Sequence, residues 1–384
     1  MNDAQIAIVG GGIGGLTATL SLQRRGFRVA VFERAEELRE VGAGLVVSGP
    51  SMCALDFLGV GDRIRSVAGK KPANGYFDLK HYATGQVVVE ATRAPQEGSF
   101  AVHRADLQTA LFQAVVANDP EAVHVGHEFA RLEQDTDGVT ATFTNGASVR
   151  ADALIGCDGL GSSVRSHVFG SEPVVYTGKV SFRGLIPSDL VTPTIAAESG
   201  SFFVGPDRML VIYHVRGTEL MNFVAHARQI GWEQEGWSIP AEVPELLELY
   251  SDFAAPARAV IGAVPPENLF KWALRDRSPM PEWTRGRVGM LGDAAHPMLP
   301  FLGQGGNMAI EDGMVLGRCL DSSGSIEEGL ARYEDARKPR GTGMQLASRD
   351  RAEELMRLSA GDPSSFASLD HTPMPAYDPV TVPV

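Results

Sequence analysis

Gly10-Gly11-Gly12-Ile13-Gly14-Gly15 follows the apolar run Gln5-Ile6-Ala7-Ile8-Val9 and opens a stretch of helical character. Glycines at a strand-to-helix turn let backbone amides approach a pyrophosphate at a helix N-terminus, where aligned peptide dipoles favour negative charge. Gly10, Gly12 and Gly15 are the positions that clear the backbone, and Ile13 enters the helix among them. A second strand, Arg28-Val29-Ala30-Val31-Phe32, ends in Glu33, whose carboxylate can accept both hydroxyls of an adenosine ribose. An acid there favours an unphosphorylated ribose, and Arg34 beside it is a further contact candidate. The pattern reads the ADP half that NAD and FAD share and does not decide between them.

Two later segments also place glycine and aspartate after a strand. Residues 152–165 read Asp-Ala-Leu-Ile-Gly-Cys-Asp-Gly-Leu-Gly-Ser-Ser-Val-Arg, and residues 287–300 read Arg-Val-Gly-Met-Leu-Gly-Asp-Ala-Ala-His-Pro-Met-Leu-Pro. They resemble the Asp-Gly and Gly-Asp motifs of the single-component flavin-dependent aromatic hydroxylases, typified by p-hydroxybenzoate hydroxylase, and the resemblance covers roughly residues 4–355. It implies noncovalently bound FAD, NADH or NADPH as a transient co-substrate, and O2. The implied reaction is hydroxylation of a small aromatic or heteroaromatic ring, phenolic or carboxylated, through a C4a-hydroperoxide of the reduced flavin. The implied fold is α/β, with a Rossmann-like FAD-binding domain and a mixed β-sheet substrate domain.

The resemblance also assigns residues. Gly292 and Asp293 are expected at the ribityl or pyrophosphate portion, and Asp158 on the other side of the cofactor, with structural capping as the alternative for each aspartate. The segment Val41-Gly42-Ala43-Gly44-Leu45 corresponds to a loop beside the isoalloxazine, where Gly44 and Leu45 are contact candidates; Arg104 matches an arginine at the phosphates or adenine. Gly303-Gln304-Gly305-Gly306-Asn307 precedes an apolar-periodic helix at 308–320, so free amides again point outward, in the family at the flavin pyrimidine edge. Pro300 aligns with a proline whose carbonyl faces the bound phenol and favours its deprotonation. His296 is a catalytic candidate in the same motif, with packing or hydrogen bonding as its other reading.

For the substrate, Tyr213 matches a tyrosine of related hydroxybenzoate hydroxylases, and strand alternation puts Met209 and Val211 on its face and His214 on the other. Met209 stands where 3-hydroxybenzoate 6-hydroxylases carry a histidine, and Val46 where 6-hydroxynicotinate hydroxylases carry another, which argues against those two substrates. Arg183 can pair with a substrate carboxylate or form an inter-domain or surface ion pair.

The elements that must position these residues divide the chain of 384. Residues 1–75, 101–175 and 270–355 are assigned to the FAD-binding domain, ending in a long charged helix from Ile326 to about Met356; residues 76–100 and 176–269 form the substrate domain. Residues 128–155 read as a β-meander with turns at Asp135-Thr136-Asp137-Gly138 and Asn145-Gly146. Residues 356–384 carry Pro363, Pro373, Pro375, Pro379 and Pro383 and are expected as an extended tail. Trp232, Trp237, Trp272 and Trp283 are read as core and interface packing.

A hydrophobic fraction of 44% with 21% charged residues is ordinary for a globular protein, and a net charge of −13 disfavours nucleic acid. Cys53, Cys157 and Cys319 form no paired motif, so neither disulfides nor zinc are indicated. His124 and His127 are three apart on a strand and are expected on opposite faces, which argues against a metal. With no basic leader before Gln5 and no run near ~20 apolar residues, the chain is expected to be cytoplasmic, off the membrane, and monomeric or homodimeric. An NAD dehydrogenase explains only the first motif. Another flavin oxidoreductase and a non-catalytic flavin-binding protein share the FAD fold and are the alternatives to the hydroxylase.

Overall fold

In the computed structural model, residues 4–38, 43–70, 77–89, 98–198, 200–232, 236, 238–357 and 376–384 are described. Val41, Gly42, Trp237, Pro363, Pro373 and Pro375 lie outside them.

Ile6, Ala7, Ile8 and Val9 are all buried, an unbroken apolar run of the kind required by a strand covered on both faces. Their strand, Gln5–Val9, lies inside a six-stranded sheet of spatial order Thr284–Arg285, Val288–Met290, Ala153–Gly156, Gln5–Val9, Arg28–Phe32, Val123–His124. All neighbours are parallel except the first pair. One face is covered by the helices Ile13–Gln23 and Gly305–Asp321. The expected meander forms a three-stranded antiparallel sheet, Phe129–Gln134, Val139–Phe143 and Ser148–Ala151, which returns the chain to Ala153.

The second layer is an eight-stranded mixed sheet ordered Ile239–Pro240, Leu269–Asp276, Val175–Pro187, Leu220–Arg228, Arg208–Val215, Gly200–Gly205, Leu79–His81, Val87–Val89. On one face Phe182, Phe203, Leu210, Ile212 and Phe223 meet Leu246, Val260 and Ile261 of the helices Val243–Leu249 and Ala255–Gly262. On the other, Met209, Val204 and Trp272 meet Leu299, Phe301 and the end of the long helix Ile326–Arg357 through Ala352, Leu355 and Met356. Leu269–Asp276 belongs to this sheet, so the boundary drawn at 270 cuts through a strand.

Two expectations change. The chain leaves the strand after His124 and turns at Gly126 (φ 66°), which brings the rings of His124 and His127 together at 5.9 Å over Phe32 rather than onto opposite faces. The end of the tail is docked rather than extended: Asp378 accepts the Val380 amide at 2.9 Å, Pro379 is buried, and its carbonyl accepts Arg318 at 2.9 Å. No helix among the described residues is long and apolar enough to cross a membrane.

Candidate active site

The register of the six-stranded sheet brings the three glycine-rich segments together. Phe32 pairs with Val9, Val9 with Gly156, and Gly156 with Met290, so one row of residues closes four adjacent parallel strands. Glu33, Gly10, Cys157 and Leu291 follow immediately, at the carboxyl edge where open α/β sheets bind ligands. The turn is pinned by Gly10 N–H donating to the Phe32 carbonyl at 2.8 Å and Cys157 N–H to the Val9 carbonyl at 2.7 Å.

The glycines fall into two groups. A Cβ at Gly10 (φ 111°) would lie 2.6 Å from the Cys157 carbonyl carbon, and one at Gly15 would overlap the Gly10 carbonyl oxygen; these two keep the turn closed. A Cβ at Gly12, Gly303 or Gly306 would meet nothing within 4 Å. Gly303 needs glycine for its left-handed backbone (φ 64°), but nothing in the chain requires Gly12 or Gly306 to lack a side chain, as expected if the requirement comes from a bound group approaching the backbone. That is the fit a dinucleotide needs, and Gly12 is the N-cap of the first helix.

The two helices that start at these glycines run parallel. Gly14 contacts Ala309, a Cβ at Gly313 would lie 2.6 Å from Ala18 N, and Gly317 sits against Ser21, so both chains advance together along the contact. Both N-termini therefore face the same side, each carrying roughly half a positive charge. Asp293 is exposed, and its carboxylate reaches within 3.6 Å of a Cβ built at Gly305, in front of the second helix.

Other expected cofactor residues have protein partners. Glu33 accepts Gly11 N–H at 2.8 Å and Ala35 N–H at 2.9 Å, one per carboxylate oxygen, leaving further lone pairs facing outward; Arg34 is exposed. Asp158 accepts the Ser162 hydroxyl at 2.5 Å and the amides of Ser163 and Val164 at 2.8 and 3.1 Å, the capping alternative. Burial pushes its carboxyl up, opposed by those hydrogen bonds. Asn307 is a clamp: its Oδ1 accepts Ser48 N–H at 2.8 Å, and its Nδ2 donates to Val46 and Gly303 carbonyls at 2.9 and 3.1 Å. Arg104 begins the helix Arg104–Asn118, its N–H held by the Ala43 carbonyl at 2.8 Å. Beside it Gln108, missed in the sequence, donates to the Gly11 carbonyl at 3.2 Å and lines a groove with Leu38, Thr109, Phe112 and Val123.

His296 lies behind the Gly-Asp segment. Its Nε2 is 2.5 Å from Asp312 Oδ2, its ring lies tilted against that of Trp283 at 4.8 Å, and it is buried. Asp312 also accepts Gly292 N–H at 3.1 Å and Arg337 Nε at 2.7 Å. Burial alone would raise the Asp312 carboxyl; the charges of His296 and Arg337 outweigh it and hold it below the usual range. This is a holding geometry, the hydrogen-bonding alternative for His296. Asp312 and Arg337 were not singled out, although two adjacent acids, Glu311 and Asp312, among the apolar residues of the helix Gly305–Asp321 were a visible signal.

The substrate residues converge on the inner face of the eight-stranded sheet. Tyr213 pairs with Asn222, Val211 with Val224, and Met209 with His226, three rows of one face. Gly44 presses on the first row: a Cβ there would sit 2.6 Å from the Tyr213 ring, and its N–H donates to Asn222 Oδ1 at 2.7 Å. Val46 shares Gly44's side of the strand Gly44–Val47, while Leu45 turns the other way. Phe77 stacks on Tyr213 at 5.7 Å. Burial pushes the Tyr213 phenol well above its ordinary value, with the Arg183 charge opposing. Arg183 lies over the Trp272 ring at 3.8 Å. Pro300 starts the short turn Pro300–Leu302, its carbonyl accepting Gly303 N–H at 3.0 Å and keeping a second lone pair. Asn222 and His226 were not picked out, though alternation along the expected strand at 221–227 puts them on a common face. Among the described residues no cluster of His, Cys, Asp and Glu could hold a metal ion.

A family model described as an FAD binding domain matches residues 3–348. The chain is 33% identical over 363 residues to 3-amino-4-hydroxybenzoate 2-monooxygenase of Streptomyces platensis, covering 92% of this chain and 89% of that protein. It is 33% identical over 345 residues to 3-hydroxybenzoate 6-hydroxylase of Klebsiella oxytoca, covering 87% and 84%. Its fold is similar to that of Klebsiella pneumoniae HpxO, solved with FAD and uric acid, at a TM-score of 0.82 and 26% identity over 95% of this chain and 91% of that one.

Proposed function

The chain belongs to the FAD binding domain family and is a flavoprotein aromatic monooxygenase; from that premise we propose that it hydroxylates a small aromatic acid or N-heterocycle bearing a hydroxyl or amino group, with NADH or NADPH as donor and O2 as oxidant. The observation that carries the reading is the row of four strand ends from which the three glycine segments emerge beside two parallel helix N-termini. We assign the six-stranded unit to FAD and the eight-stranded sheet to substrate. Three free cysteines among the described residues suit a reducing cytoplasm.

FAD, when bound and reduced, supplies the electrons that activate dioxygen. Gly10 and Gly15 keep the turn closed so that the amides at Gly12 and Ile13 would take the pyrophosphate, Glu33 the ribose, and Arg34 and Arg104 the outer phosphate and adenine side. Gly292 and Asp293 would hold the ribityl chain, and the amides of Gly305 and Gly306 would face the flavin pyrimidine edge, with Gly303 turning the chain into that helix. Gly44 and Leu45 flank the flavin ring. Asp158 and Asn307 act through the segments they tie down. Tyr213, Met209, Val211, Val46 and Arg183 line the substrate, and the second lone pair of the Pro300 carbonyl accepts its hydroxyl hydrogen. His296 fixes the Gly-Asp segment through Asp312.

The test uses the purified protein, its flavin spectrum, and a panel of hydroxy- and aminobenzoates and hydroxylated N-heterocycles. The expected result is stoichiometric FAD, substrate-dependent NAD(P)H and O2 consumption, and a product heavier by one oxygen atom. Oxygen consumption that yields only peroxide with every ring would refute the monooxygenase assignment in favour of an oxidase.

A further inference from the structure

His226 is 2% exposed, its Nδ1 has no hydrogen-bond partner, and no hydrogen bond among the described residues ends on its ring. The other two fully buried histidines of comparable position differ: His214 bonds the Ala196 carbonyl at 3.1 Å, and His296 bonds Asp312. Directly across the next strand from His226 is Ser181, fully buried, its hydroxyl also without a partner. Paired residues of an antiparallel sheet share a face with Cβ atoms about 4.5–5.5 Å apart, so a single group can bridge the two. On its other side His226 pairs with Met209, which offers no donor. The ring lies 4.8 Å from that of Phe301, the residue after Pro300.

Leaving one buried polar group unpaired costs about 1–3 kcal/mol, and two stand side by side here. A hydrocarbon would pack this corner without that cost. The missing partner is therefore a hydrogen-bonding group that arrives with a ligand. Burial, with the nearby Arg183 charge adding, holds the imidazole down to about 3, so it is neutral near pH 7 and keeps an acceptor nitrogen. An acceptor of this kind beside a serine recognises O–H or N–H.

Building on the aromatic-monooxygenase reading, we infer that His226, with Ser181, is the specificity-determining pair that recognises a hydroxyl or amino substituent on the substrate ring. The rows of the same face then grade from Tyr213 and Asn222 at the Gly44 end, through Val211 and Val224, to this polar corner, which suits a flat ring with a substituent at its far side.

The experiment measures dissociation constants of benzoate, 3-hydroxybenzoate, 4-hydroxybenzoate and 3-amino-4-hydroxybenzoate by equilibrium dialysis against the FAD-loaded wild type, His226→Phe, His226→Met and Ser181→Ala. Flavin content reports folding, and whichever His226 variant keeps its flavin is compared. The wild type should bind at least one substituted acid 10-fold or more tighter than benzoate. The His226 variant should bring that ratio near one while leaving the benzoate constant unchanged; Ser181→Ala should reduce it partway. The hydroxy and amino arms show which substituent is read. An unchanged ratio in a flavin-replete His226 variant overturns the inference and leaves the pair as a structural corner. Equal wild-type binding of benzoate and the substituted acids, with a ring still hydroxylated, overturns it while the functional reading stands; no binding of any acid and no hydroxylation refutes both.

Discussion

Gly12 and Gly15 sit three residues apart in one motif, yet they should fail in different ways. The Gly12 position has open space around it and an extended backbone (φ −74°, ψ −177°) that any residue adopts. Gly12→Val therefore costs the fold only the difference in N-cap preference, about 1 kcal/mol, partly offset by reduced freedom of the unfolded chain. A Cβ at Gly15 overlaps the Gly10 carbonyl oxygen and lies 3.2 Å from its carbon, in a turn already fixed by the Gly10–Phe32 hydrogen bond. Gly15→Ala must displace backbone, at the upper end of the ~1–3 kcal/mol typical of overpacking. At about 2–4 °C per kcal/mol, the Gly15→Ala apoprotein should unfold roughly 6–12 °C below wild type. The Gly12→Val apoprotein should stay within about 4 °C of it. FAD at 100 times its Kd adds about 2.7 kcal/mol to a chain that binds it, and should add nothing to Gly12→Val. Calorimetry of each apoprotein with and without FAD, together with the flavin spectrum, separates the cases. A Gly12→Val protein that keeps its full flavin, or whose apoprotein melts as low as Gly15→Ala, would refute the division of the glycines.

Tyr213→Phe should weaken substrate binding or raise peroxide leakage while leaving FAD bound, since the phenol packs on Gly44 and Phe77 rather than on the glycine turns; unchanged coupling in that variant removes Tyr213 from the site. Asp312→Asn should destabilise by about 3–5 kcal/mol, because Arg337 stays buried without its full counter-charge, and should lower flavin affinity by loosening Gly292; a wild-type melt would contradict the holding role. For His226, the folded value near 3 lies below the unfolded 6.5, so the unfolded chain binds the extra proton and stability falls as pH drops from about 6.5 toward 3. His226→Met should flatten that part of the acid-unfolding curve relative to wild type, and parallel curves would show the imidazole to be solvated. Bound substrate should speed flavin reduction at least ~10-fold, about 1.4 kcal/mol of barrier; equal stopped-flow rates with and without it would remove gating.

The cofactor half of the site was legible because its information is local. A strand, a glycine turn and a helix are contiguous in sequence, and the parallel register then aligns three such units without further instruction. Where the local reading was incomplete, tertiary contacts supply the rest. Asn307 lies in a glycine-rich segment that opens a helix, yet its amide is consumed by Ser48, Val46 and Gly303, more than 250 positions away in two of the three cases. His296 sits in a motif, but its partner Asp312, and the Arg337 that Asp312 holds, come from two later helices. The substrate corner was the least legible. Alternation gives a face to Met209, Val211 and Tyr213, but only the pairing of three strands sets His226 opposite Met209 and Ser181 opposite His226.

The buried charges beneath the Gly-Asp segment address an electrostatic conflict. Glu311 and Asp312, in the middle of the helix Gly305–Asp321, are carboxylates that, left unpaired, would work against the positive end that a phosphate or a reduced flavin needs. Both carboxylates are fully buried, and each meets a guanidinium: Arg337 Nε at 2.7 Å from Asp312, and Arg340 Nε at 2.7 Å from Glu311. Two guanidiniums offset the two carboxylates, with His296 also against Asp312, so no net negative charge is left to oppose the dipole at Gly305. Such a network adds little net stability, because desolvation offsets most of the attraction. What it provides is position: Asp312 holds Gly292 N–H and His296 on one oxygen and Arg337 on the other, which fixes the Gly-Asp turn against the helix whose N-terminus it faces. Arg337 and Arg340 both come from the long C-terminal helix, so that helix sets the field at the cofactor end while its last turns, through Leu355 and Met356, pack against the substrate sheet. One rigid element thereby joins the charge balance under the flavin segment to the face that carries Met209.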